Sequence, residues 1–204
     1  METRIGFGYD SHVFKPGIPL RIGGVTLDHT EGLAGHSDGD VLLHAITDAL
    51  LGSIAAGDIG CFFPPGDPRW KNADSAIFLN LALETLQSAG YRIVNIDVTL
   101  ILAAPKIGPV SGEMRTRVAE LLGLGTDQIS IKAKTPEGLK LDRVAQCHAI
   151  ALVERVLEPE DLKSMSAVIE SQRQLEDVVE DLLSSVHGVP KKRGGTDYDT
   201  EEIP

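Results

Sequence analysis

Cysteine is scarce in this chain, with two in 204 residues. Cys61 and Cys147 lie far apart and form no C-x-x-C pair, a pattern that suggests neither a disulfide framework nor a thiolate zinc cluster and that fits a reducing compartment. Long apolar runs are missing as well. Nothing approaches the roughly 18 to 20 consecutive apolar residues of a membrane span, and the N-terminus carries the acidic Glu2 and no apolar signal core. A cytoplasmic location is the expectation. Positive charge is also in short supply, with 19 Lys and Arg against 30 Asp and Glu. Residues 158–204 hold 12 acids and 5 bases, which leaves 18 and 14 for residues 1–157, so the acidity belongs mainly to the C-terminal stretch. An acidic body with no basic patch argues against binding a nucleic-acid backbone, where clustered Lys and Arg supply most of the affinity. There is no internal repeat.

What is present suffices for one ordinary core and an appendage: 42% of residues are hydrophobic, and a chain of this length builds a single domain with material left over. Arg4 to Val13 alternates small or apolar with polar residues, the period of a strand, with close backbone approach at its glycines. Asp10 and His12, two apart, then share one face. A hairpin-like stretch covers Pro16 to Leu27. Ser37-Asp38-Gly39-Asp40 offers side-chain caps for a helix running to Ala56, with Leu42, Leu43, Ile46, Ala49 and Leu50 as its apolar stripe. A Pro- and Gly-rich loop spans Gly57 to Lys71. Helices are expected from Asp74 and Ser75 to Ala89, and from the turn at Pro105–Pro109 to Leu122. Strands are expected at Tyr91–Ala103, Ile129–Lys134 and Gln146–Leu157, the last with an Ala content that also suits a helix. Strands alternating with helices indicate an α+β sandwich, a mixed sheet with helices packed on one face. From Pro159 onward apolar residues recur at helical spacing among acids and serines, which predicts one long amphipathic helix or a broken pair to about residue 187. Residues 188–204 read as disordered.

Asp10-x-His12 on a strand, with His44 inside the first helix, makes a three-ligand set for a borderline-soft divalent ion such as Zn²⁺ and leaves the fourth position open for catalysis. Taken alone, the trio leaves a structural role for each histidine open. Asp48, four residues beyond His44 on the same helical face, either orients that imidazole or stands solvated.

Longer motifs carry more. Asp10-Ser11-His12, the run from His36 to Gly52, Gly57-Asp58-Ile59-Gly60, Phe63-Pro64, Asp67-Pro68, Asn95 to Thr99, Ala104-Pro105-Lys106 and Lys132-Ala133-Lys134-Thr135-x-Glu137 stand in fixed order. Together they resemble the 2-C-methyl-D-erythritol 2,4-cyclodiphosphate synthase family over residues 3–157. The resemblance implies a fold with ferredoxin-like character assembled as a homotrimer, each active site being shared between neighbours. It implies a CMP-releasing cyclisation in the non-mevalonate (MEP) isoprenoid pathway. Zn²⁺ would be held by Asp10, His12 and His44, and a second cation, Mg²⁺ or Mn²⁺, by Glu137. Asp58 and Gly60 would meet the erythritol hydroxyls, with Phe63 and Asp67 nearby, and His36 and Ser37 would approach the 2-phosphate. Ala104, Pro105, Lys106, Ile107, Gly108, Ala133, Lys134 and Thr135 would form the cytidine-diphosphate pocket, Thr135 donating to a phosphate oxygen.

The chain departs from the family pattern in a shortened Gly138–Val144 segment, where Arg143 and Leu141 are what remain to reach the trimer axis. It also departs at Pro65, where an acid is common, and at Lys134, where a Thr is common. The largest departure is the extension from residue 158, either a helix packed on the trimer surface or a docking segment for a protein partner. Two further functions stay open: a zinc hydrolase, and a catalytically silent trimer that recruits a partner through its extension.

Overall fold

The computed structural model describes residues 2–157 and 159–187. The predicted disorder at 188–204 lies outside the described residues. The chain separates into two units, Met1–Val156 and Leu157–Pro204.

The first unit is built on a five-stranded mixed sheet. Its strands are β1 (Thr3–Pro16), β4 (Glu31–Leu33), β5 (Tyr91–Ile101), β6 (Ile129–Lys134) and β7 (Val144–Arg155), in the order β4-β1-β7-β5-β6. Antiparallel β7 lies between β1 and β5, which run the same way. That is the split βαβ of ferredoxin-like folds. At the edge the pattern departs from it, because β6 pairs parallel with β5 through the crossover helix α4 (Ser111–Leu122). The hairpin foreseen near residues 16–27 is β2 (Leu20–Ile22) with β3 (Val25–Leu27). Its two-residue turn, Gly23-Gly24, has φ of 63° and 73°, the positive pair that matches strand twist and that glycine adopts without strain.

Helix α1 (Val41–Ser53) is central. The expected apolar stripe understates it, since eleven of its thirteen residues are buried. Thr47 and Ser53 are accommodated because their hydroxyls donate back to the carbonyls of Leu43 and Leu50, at 2.8 and 2.7 Å. Leu42, Leu43, Ile46 and Leu50 are fully buried, each stabilising the fold by roughly 1.5–3 kcal/mol. The helix stops short of Ala56. Its start is set by Asp40, whose buried carboxylate accepts from Leu42 and Leu43 N–H at 3.1 and 3.0 Å and also from Gly23 and Gly24 N–H at 2.8 and 2.7 Å. One side chain thus ties the helix cap to the hairpin turn.

The helix-facing side of β7 carries Ala145, Cys147, Ala149, Ala151 and Val153, all buried. On β1 the equivalent places are Gly6 and Gly8. A Cβ at Gly6 would lie 1.8 Å from the Ala49 carbonyl oxygen, and one at Gly8 1.9 Å from that of Ala45. The strand and helix backbones therefore touch. Helices α3 (Ala76–Ser88) and α4 complete the layer, burying Phe78, Leu79, Ala82 and Leu86, and Met114, Val118, Ala119 and Leu122. The alternate side of β1 and β7 exposes Ile5, Phe7, Tyr9, Val13 and Ile150, an apolar strip larger than scattered surface residues make.

Among the strands and α-helices, two short elements escaped the sequence reading: β4, and α2 (Ile59–Phe62) inside the Pro- and Gly-rich loop. The second unit holds one continuous helix, α5 (Pro159–His187), with Val168, Ile169, Leu175, Val178 and Val179 exposed along it. No helix among the described residues is long and apolar enough to cross a membrane.

Candidate metal centre and active site

Asp10 and His12 occupy the helix-facing side of β1, immediately beyond the Gly6 and Gly8 contact, and His44 lies in the first turns of α1. With strand and helix backbones in contact, the three side chains have one place to meet. Asp10 Oδ2 lies 2.8 Å from His12 Nε2 and 2.9 Å from His44 Nδ1, and the two ring nitrogens are 3.2 Å apart. These are the residues that could hold a metal ion among those described. Ligands 2.0–2.1 Å from a tetrahedral Zn²⁺ stand about 3.3 Å from one another. The triad needs to open by a few tenths of an ångström to become three corners of that tetrahedron, and one carboxylate with two imidazoles is a donor set that suits the ion.

Charge agrees with geometry. Burial alone would raise Asp10, yet hydrogen bonds from His12 and His44 hold its carboxyl well below the usual carboxylate range. Burial works to lower His44, and the Asp10 carboxylate, with Asp40 and Asp38 behind it, overrides burial and holds the imidazole above its ordinary value.

The other nitrogen of His44 corrects the reading of Asp48. Helical side chains lean toward the N-terminus, so the ring reaches back, and Nε2 meets Ser75 Oγ at 2.8 Å and Ser37 Oγ at 3.1 Å. Asp48, one turn further on, instead accepts from Ile59 N–H at 2.8 Å and so anchors α2. Asp58 caps that helix, accepting from Cys61 N–H at 3.0 Å.

Around the triad lies a cavity of about 290 Å³ walled by His12, His36, Ser37, His44, Ile59, Gly60, Phe63, Pro65, Trp70 and Phe78. His36, Ser37, Gly60 and Phe63 were expected here; the rest of the apolar wall was not. Phe63 packs on Phe78 at 4.3 Å and on Trp70 at 4.9 Å between ring centroids. A Gly-Asp-Pro-Arg-Trp turn hides that role in the sequence. Asp67 caps this turn, accepting from Arg69 N–H at 3.0 Å, and its carbonyl lies 3.0 Å from His36 Nε2.

A second cavity, of about 350 Å³, is lined by Leu102, Ala103, Pro105, Lys106, Ile107, Gly108, Pro109, Ala133, Lys134 and Thr135. The expected nucleotide-pocket residues are thus brought together, apart from Ala104, which joins the wall through a cis peptide to Pro105. Glu137 is hydrogen-bonded by Thr135 Oγ1 and stands outside the triad. Arg143 does not project freely from the shortened segment: it pairs with Glu31 at 2.6 Å and donates to the Phe14 carbonyl at 3.0 Å.

Fold and site together define an α+β protein with a candidate divalent-metal centre opening into an apolar-walled cavity. The chain belongs to the YgbB family, whose model matches residues 3–154. It is 59% identical over 152 residues to the 2-C-methyl-D-erythritol 2,4-cyclodiphosphate synthase of Koribacter versatilis (strain Ellin345), a match covering 74% of this chain and 98% of that protein. A solved structure of 2C-methyl-D-erythritol-2,4-cyclodiphosphate synthase in a CDP-bound form superposes with a TM-score of 0.70 at 38% identity, covering 74% of this chain and all of the other. The bifunctional IspDF of Campylobacter jejuni gives 0.73 at 34% identity, over 76% of this chain and 42% of that one.

Proposed function

We propose that the first unit converts 4-diphosphocytidyl-2-C-methyl-D-erythritol 2-phosphate to 2-C-methyl-D-erythritol 2,4-cyclodiphosphate and CMP, a step of the MEP isoprenoid route. The convergence of Asp10, His12 and His44 within 2.8–3.2 Å at the mouth of a walled cavity carries this reading, and the names of the relatives support it. An oxygen of the 2-phosphate attacks the β-phosphorus, the bond from that phosphorus to the oxygen bridging the α-phosphate breaks, and CMP leaves with that oxygen. The nucleophile is already an anion, so no general base is needed.

Asp10, His12 and His44 would hold Zn²⁺, which when bound supplies Lewis-acid neutralisation of the β-phosphate. Ser37, poised beside His44, and His36 face the 2-phosphate from the loop. Asp58, at the start of α2 next to Gly60, accepts from the erythritol hydroxyls. The apolar wall of Phe63, Trp70 and Phe78 keeps water from the phosphorus. The second cavity takes the cytidine diphosphate, reading the base edge with backbone groups of residues 104–108. Thr135 donates to a phosphate oxygen, and Glu137 is the carboxylate through which Mg²⁺ or Mn²⁺ would be held beside the diphosphate.

The exposed apolar strip of β1 and β7 supports assembly of copies through the sheet, and a homotrimer with active sites shared between neighbours is the arrangement we assign. The extension beyond residue 157 is a separate appendage, since the match to the Koribacter protein spans 98% of that relative without needing it.

The test is CMP release by purified protein, with chelator-treated enzyme refilled with zinc and magnesium and His44→Ala as controls. Metal-dependent release that His44→Ala abolishes, with the cyclic product seen by phosphorus NMR, is expected. Release of CMP with a linear product would instead identify a hydrolase.

A further inference from the structure

We infer that Ser75 is a positioning residue of the metal centre: its buried hydroxyl, anchored on Asp38, accepts from His44 Nε2–H and fixes the ring so that Nδ1 is the nitrogen presented to Asp10, His12 and an incoming metal ion. This rests on the metal reading of the triad.

Residue 75 sits where a helix cap is expected, at the start of α3, yet it makes no side-chain cap bond to that helix. It is fully buried. Its hydroxyl turns the other way and donates to Asp38 Oδ1, while its backbone N–H donates to Asp38 Oδ2 at 3.2 Å. Asp38 is held in turn by Arg21 Nη1 at 3.3 Å, and Arg21 Nη2 reaches Asp74 at 3.2 Å. The carboxylate is therefore fixed from two sides before any ligand arrives.

Proton counting sets the rest. A serine hydroxyl has one proton and a carboxylate has none to give, so the Ser75 proton is committed to Asp38. Its oxygen then offers only lone pairs to His44 Nε2, 2.8 Å away. That contact is a hydrogen bond only if Nε2 carries a proton, so the proton His44 gives up to a metal ion is the one that Nδ1 shares with Asp10. Nδ1 is the nitrogen 2.9 Å from Asp10 and 3.2 Å from His12. A ligating histidine commonly donates its distal N–H to an oxygen that locks its orientation. Here that oxygen comes from a residue 31 positions along the chain, on another helix. Ser37 also lies 3.1 Å from Nε2, but it is on the cavity wall, and besides that ring it meets, among the described residues, only the Gly39 N–H, at 3.5 Å, so no carboxylate claims its proton as Asp38 claims that of Ser75.

The experiment uses the full chain, with three readouts on wild type, Ser75→Ala and Ser75→Thr. Long-range proton–nitrogen NMR on histidine-labelled, metal-free protein reads whether Nε2 of His44 carries a proton, and competition with a chromophoric chelator reads zinc affinity. Thermal melting confirms folding. Expected are a protonated Nε2 at His44 in wild type, a zinc affinity weakened ~10–100-fold in Ser75→Ala, and recovery to within about threefold in Ser75→Thr, which keeps the hydroxyl. A bare Nε2 in wild type overturns the inference without any variant. So does a folded Ser75→Ala that binds zinc as wild type does. If wild type binds zinc no better than His44→Ala, the metal reading itself fails, a result distinct from either of these.

Discussion

Replacing Asp40 by alanine strips four backbone N–H groups of their common acceptor: Leu42 and Leu43 at the start of α1, and Gly23 and Gly24 in the β2–β3 turn. The residue is fully buried, so water does not readily take its place. Loss of the cap costs about 1 kcal/mol, and each stranded turn amide costs about 1–2 kcal/mol. A total of roughly 3–5 kcal/mol is a large part of the 5–15 kcal/mol that holds a domain folded. Asp40→Asn separates charge and geometry. Its amide oxygen can keep the three bonds made by Oδ1, but its NH₂ then faces Gly24 N–H, donor against donor, for about 1–3 kcal/mol. Urea unfolding followed by far-UV circular dichroism measures both. The reasoning is refuted if Asp40→Asn melts within about 0.5 kcal/mol of wild type, or if Asp40→Ala costs less than about 1 kcal/mol. A zinc titration on the same samples should show weaker binding, because the carbonyl of Asp40 accepts from His44 N–H at 3.0 Å and a frayed cap loosens that turn.

Stripped of metal, the protein should become less stable as pH rises above about 6.5, the ordinary value of a histidine. His44 is held above its ordinary value by Asp10, so its contribution is complete below about 6.5 and fades as pH climbs through the raised value. The depressed Asp10 carboxyl keeps the pair intact down through the ordinary carboxylate range. Zinc affinity should run the other way, rising over the same interval as protons cease to compete; thermal melting with and without zinc checks both, and His44→Ala should flatten each profile. If the proposed trimer forms through the exposed strip, Phe7→Asp should give monomers in light scattering and reduce CMP release at least tenfold while each copy stays folded. Residues 1–157 expressed alone should keep CMP release within about threefold of the full chain, and a loss beyond tenfold would make the extension part of the enzyme.

How much of this was legible in the sequence depends on the range of the forces involved. Period-two alternation placed Asp10 and His12 on one side of β1, and capping residues placed His44 early in α1, because both signals are local. β6 was readable to the residue from its alternation and the glycines before it. β4 was not, since three residues are too few to show a period, and its existence depends on pairing with Phe14–Pro16. Helical spacing makes Asp48 a neighbour of His44 but leaves open whether it orients that ring, because spacing does not give the direction a side chain leans. Ser75 and the Trp70–Phe78 wall were invisible for a different reason. Their partners lie on other elements, and nothing in a residue's own neighbourhood announces them.

The contact of Gly6 and Gly8 with the carbonyls of Ala49 and Ala45 has a consequence for how the chain tolerates change. One methyl group on either glycine has nowhere to go except by lifting α1 bodily from β1, and that motion carries His44 away from Asp10 and His12. The spacing works as a mechanical gauge, in which the thickness of two bare backbones sets the aperture of the triad. Mutagenesis aimed at the ligands would therefore miss half of what determines their geometry. Gly8→Ala, with no chemistry of its own, should be as informative a lesion as the loss of a ligand, and no change of side chain at Ala45 or Ala49 should repair it, because the obstructing atoms are backbone.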